Sequence, residues 1–171
     1  MTTPTTGIEE LHSLLNTEAE GYQQLLALTR VEQTALKEEN LVTLTAVTQD
    51  KQAVMDKLAR WEQAREKLVS TLAAQLNLPP GASMLELIAH LDEAVAARLL
   101  EMRDWFINMV ELLLTLNHGN RLMLQTSLAR VEATFDYLSS VAAPPDGSYT
   151  AKGSAHTQNQ AAAGNMLNWH V

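Results

Sequence analysis

LDEAVAARLLEMRDWFINMVELLLTLNHGNRLMLQTSLARVEATFDYL, residues 91–138, decides the fold class. Its apolar residues fall at Leu91, Val95, Met102, Phe106, Met109, Leu113 and Leu116, then at Leu124, Leu128, Val131, Phe135 and Leu138. Steps of three and four are the period of a helix that buries one stripe. No proline interrupts the run, and at ~1.5 Å per residue it predicts a rod roughly 70 Å long. A rod offers flank and little concavity. Holding another protein is therefore the expected work, rather than a reaction.

The same rhythm extends upstream. Ile8, Leu11, Leu14, Leu15, Tyr22, Leu25, Leu26 and Leu36 predict a first helix over residues 8–37. Gly21 weakens it by under ~1 kcal/mol, which length absorbs. Asn40 has the chemistry of an N-cap for a second helix over 41–77, with the stripe Leu41, Leu44, Val47, Met55, Leu58, Leu68, Leu72 and Leu76. A short connection makes these two an antiparallel hairpin; a single bent helix is the alternative, because Glu38-Glu39 break nothing by themselves. Asn77-Leu78-Pro79-Pro80-Gly81 is the firmest boundary, since the prolines remove amide donors and the glycine frees the turn. Ser83 stands three before Glu86, the capping-box spacing, and opens a short helix over 84–90. It either leads through Asp92 into the long helix, 92–140, or is offset there. Residues 1–7 read as a loose leader and 141–171 as a loosely ordered tail, polar and broken by Pro144-Pro145. The expected fold is all-α: an elongated antiparallel bundle or coiled coil of three to four helices.

Composition narrows the function. The chain has 171 residues, enough for one domain with a tail, and its 46% hydrophobic content can fill a core. With no cysteine, disulfides and thiolate metal sites are excluded. The net charge is −8. Residues 8–39 carry seven acids against two bases, and 83–140 eight against four. No basic face exists for a phosphate backbone, so nucleic acid is not an expected partner. Residues 1–10 lack a secretory signal, and no apolar run approaches the ~20 residues that span a bilayer. A cytoplasmic location fits these features.

Chemistry-bearing patterns are sparse. Glu9–His12 is the single Glu-x-x-His, and no two histidines lie three or four apart, so no metal site and no cofactor are expected. Glu18 and Glu32 fall near the first stripe; Lys51, Lys57 and Arg65 are their candidate partners in register-setting pairs, exposure at the stripe's edge being the other reading. Met102, Met109 and Met123, with Trp105 and Phe106, read as core, or as a soft groove for a client helix. Asn117 and Asn120 stand four after Leu113 and Leu116, where asparagine fixes register; Gly119 between them gives room for a helix to come close. In the tail, Met166, Leu167 and Trp169 form an apolar hook suited to docking.

Several segments together resemble the FlgN family, the cytoplasmic chaperones of flagellar type III export. These are Leu14-Leu15 with Glu18 and Tyr22; Lys51 through Glu62-Gln63-Ala64-Arg65; Leu116-Asn117-His118-Gly119-Asn120-Arg121-Leu122 with Leu128; and Tyr149-Thr150-Ala151-Lys152-Gly153. Their order and spacing over 8–153 carry the likeness, and Asn117, Asn120, Tyr149 and Gly153 are its polar and terminal marks. The resemblance implies a helical protein without enzyme activity. It implies binding to the C-terminal helical regions of hook-filament junction proteins of the FlgK and FlgL type, and delivery to the export apparatus. Client contact in the C-terminal half would fall on the later part of the long helix and the segment after it; the clean spacing there points to Leu124, Leu128, Val131, Phe135 and Leu138 as part of the apolar contact, and the Met166, Leu167 and Trp169 hook is expected in the same groove when no client is present. A coiled-coil adaptor without client specificity is the alternative, and a homodimer is compatible with the long seam.

Overall fold

The structure, a computed structural model, describes residues 4–142. These residues form four helices and no strand: α1 (Pro4–Lys37), α2 (Leu41–Gln75), α3 (Met84–Ile88) and α4 (Glu93–Ala142). The chain divides into Met1–Thr134 and Phe135–Val171; of the second part only the end of α4 is described.

Helix α1 begins inside the expected leader. Proline at the first helical position sacrifices an amide that has no helical partner and arrives with φ already set. Gly7, one turn on, is buried where a Cβ would stand 2.7 Å from Leu72, so α1 meets α2 from its start.

The α1–α2 connection is a turn and not a bend. Glu39 takes φ 54° and Asn40 N–H donates to Ala35 O at 2.9 Å, closing α1. Asn40 Oδ1 then accepts from Thr43 N–H at 3.0 Å and opens α2. Asn77, at φ 55°, ends α2 in the same left-handed way, and Leu78 N–H donates to Ala73 O. Ser83 and Glu86 form the capping box of α3: Glu86 Oε2 accepts from Ser83 N–H at 2.6 Å, and Ser83 Oγ accepts from Glu86 N–H at 3.2 Å. Those hydrogen bonds hold the Glu86 carboxyl below the usual carboxylate range. α3 stops at Ile88, two residues short of the expected end, and residues 89–92 offset it from α4.

Partners between α1 and α2 run in opposite order: Gly7 against Leu72, Glu18 with Arg65, Gly21 against Leu58 and Trp61, Glu32 with Lys51. Gly21 thus earns its place in mid-helix, since a Cβ there would lie 2.8 Å from both Leu58 and Trp61. Helix α4 follows α1 in the same direction, through His12–Arg98, Tyr22–Phe106 and Asn120–Glu32. Gly119 does not serve a close helix approach: a Cβ there would meet nothing within 4 Å.

Two apolar clusters hold the helices together. Leu11, Leu15, Val69, Leu72, Leu87, Ile88 and Leu99 form the first, with Met102 and Phe106 packed on it. Leu25, Val54, Leu58 and Leu113 form the second, with Met109. These methionines therefore serve the core. Leu41, placed on the second stripe by spacing, is instead exposed in the first turn of α2.

Candidate protein-binding surface

Between the second cluster and the α1–α2 turn, the seam becomes polar. Lys51 Nζ donates to Glu32 Oε2 at 2.7 Å and to Asn117 Oδ1 at 3.1 Å. Asn120, buried, donates through Nδ2 to Thr29 O at 3.0 Å and to Glu32 Oε2 at 2.8 Å. One carboxylate thereby joins α1, α2 and α4. Such a clasp fixes register because sliding any helix would strand a desolvated charge. Of the three candidate partners, Lys51 takes Glu32 and Arg65 takes Glu18, while Lys57 is exposed. Burial pushes the Glu18 carboxyl up from its ordinary value against the pull of Arg65, whose Nε donates to both oxygens at 3.1 Å.

Past the clasp, α4 loses its cover. Met123 and Ser127 are half-buried, and Arg130 reaches Glu39 at 3.2 Å. Every residue from Leu128 to Val141 is exposed. Leu124, Leu128 and Val131 are 43%, 54% and 57% exposed; Phe135 and Leu138, on the last turns of the helix, are 69% and 56%. Tyr137 and Val141 are exposed with them. Within the first unit, Leu124, Leu128 and Val131 keep the four-three spacing that brings side chains onto one face. A face of this kind has no cavity for a small substrate.

Spacing alone did not reveal a second exposed row, Leu100, Ile107 and Leu114, higher on α4. Its seven-residue interval was the available signal. Tyr149, Gly153, Met166, Leu167 and Trp169 lie outside the described residues. Among the described residues no three His, Asp or Glu side chains gather as metal ligands, and no helix is long and apolar enough to cross a membrane. His12, from the single Glu-x-x-His, instead meets Asn16 and Arg98, each at 3.1 Å.

Comparisons with curated proteins and with solved structures find no match. The model of one family, described as FlgN protein, matches residues 1–157. With nearly its whole length matched and an all-helical fold whose last long helix bares an apolar face, the chain belongs to the FlgN family of flagellar export chaperones, proteins without catalytic activity.

Proposed function

We propose that this chain acts in the cytoplasm and holds the C-terminal helical regions of hook-filament junction proteins of the FlgK and FlgL type. It keeps them from assembling early and hands them to the export apparatus. The observation that supports this reading is the bare apolar run Leu124, Leu128 and Val131, past the part of α4 that packs against the hairpin through Leu99 and Leu113; Phe135 and Leu138 continue the same spacing in sequence and are exposed. A subunit that polymerises through terminal helices exposes apolar stripes of its own beforehand. Pairing one stripe with another removes both from water, at roughly 25 cal/mol per Å² of apolar surface. Ordering the client segment consumes part of that gain, which leaves an affinity suited to later release.

Co-purification with the C-terminal region of a hook-associated protein tests the reading. Leu128→Asp and Val131→Asp should abolish capture while circular dichroism and thermal unfolding stay those of the parent. Capture that persists in a folded variant would reject the stripe as the client site. If the same substitutions instead dissolve a homodimer and leave client capture intact, the stripe belongs to a coiled-coil oligomer.

A further inference from the structure

Gly7 and Gly21 stand where a Cβ would lie 2.7 Å from Leu72 and 2.8 Å from Leu58 and Trp61, so both serve the close approach of α1 and α2. Gly119 has no such use, since a Cβ there would meet nothing within 4 Å. Glycine weakens a helix interior relative to alanine, and here no neighbour requires it. The next residue, Asn120, is 4% exposed and belongs to the clasp. Its Nδ2 donates to Thr29 O and to Glu32 Oε2, while its Oδ1 is buried without a hydrogen-bond partner. Turning the amide over would set the oxygen against those same two acceptors. An unmet buried acceptor is a standing cost of this arrangement. From there to Thr134 no side chain is buried: Met123 and Ser127 are half-buried, and the Arg130–Glu39 pair lies in water, where it adds little. A weak point in the helix thus stands directly before an imperfect latch and a lightly held segment.

Whatever partner the chain holds, we propose that α4 is hinged at Gly119. The arm from Asn120 to Thr134 swings between a latched position against the hairpin and an open one. Opening gives the Asn120 oxygen to water. The Lys51–Glu32 pair joins α1 to α2, so it survives opening and no buried charge loses its partner. The open arm carries Leu124, Leu128 and Val131 away from the hairpin, and the same apolar residues then meet a partner at more than one angle.

The chain has no cysteine, so spin labels report only where they are placed. On the full chain, Ala46→Cys with Ala129→Cys measures the arm against the hairpin, and Ala59→Cys with Ala97→Cys measures α4 before the hinge; all four positions are exposed. Pulsed electron resonance should give two distances for the first pair and one for the second. Gly119→Ala, whose Cβ clashes with nothing, should cut the longer-distance population about fivefold, the preference of a helix interior for alanine over glycine. Asn120→Leu removes the unmet oxygen and should lower that population too, with thermal unfolding showing that the variant is folded. One distance for both pairs, or a ratio that Gly119→Ala leaves unchanged, overturns the hinge. Two distances for the second pair mean that α4 moves as a whole and overturn it equally. A larger open population in folded Asn120→Leu overturns the latch.

Discussion

Two stretches of α4 carry one apolar rhythm and meet opposite fates. Leu99 and Leu113 are 1% and 5% exposed, whereas Leu128 and Val131 are more than half exposed. Part of the cause is geometric. Between Leu116 and Leu128 the steps through Asn120 and Leu124 are each of four residues. At ~100° per residue, Leu128 points about 120° away from Leu116. The covered side continues through Met123 and Ser127, while the apolar spacing turns onto a neighbouring face. The rest of the cause is length. Glu39, at the turn of the hairpin, pairs with Arg130, and from Leu128 onward all described side chains of the helix are exposed. Periodicity thus measures how well a stripe is made, and the neighbouring helices decide whether it serves a core or a partner.

The largest expected effect separates the two stretches directly. Leu99→Ala should cost about 2–5 kcal/mol in urea unfolding, because it empties a fully buried site. A loss under 1 kcal/mol would show that this half of α4 is not packed as described. Next is the boundary between them. Lys51→Met should cost about 2–4 kcal/mol by leaving the Glu32 carboxylate without its cation, and the double change with Glu32→Gln should cost less than the single one. Additive losses would dissolve the clasp as a unit. Gly21→Val should cost about 1–3 kcal/mol through contact with Leu58 and Trp61, read from the thermal midpoint. An unchanged midpoint would mean that α1 and α2 are farther apart.

On the uncovered stretch, Leu128→Ala and Val131→Ala should each change stability by no more than about 0.5 kcal/mol. Larger losses would reveal cover that these helices do not provide. The smallest effect is a pH trend. The Glu18 carboxyl is raised in the folded chain, so the folded state takes up a proton before the unfolded one. Relative to Glu18→Gln, the parent should therefore gain stability as pH falls through the window above the ordinary carboxylate value of 4.5. The opposite slope would mean that Arg65 outweighs burial.

The sequence by itself determined that the chain is helical and where its main breaks fall. Spacing marked the stripes, Asn40 and Ser83 announced the caps, and Pro79-Pro80-Gly81 marked the break. These are local properties, set by each residue's own backbone preferences and its near neighbours. The start of α1 at Pro4 was missed because its support comes from Leu72, far along the chain. Tertiary structure alone decided which acid met which base, why Gly21 is required, and where cover on α4 ends. Each of those depends on how helices remote in sequence are placed against one another, and a repeating apolar pattern is compatible with several placements. The polar clasp of Glu32, Lys51 and Asn120 favours one of them, because only one register satisfies its charges.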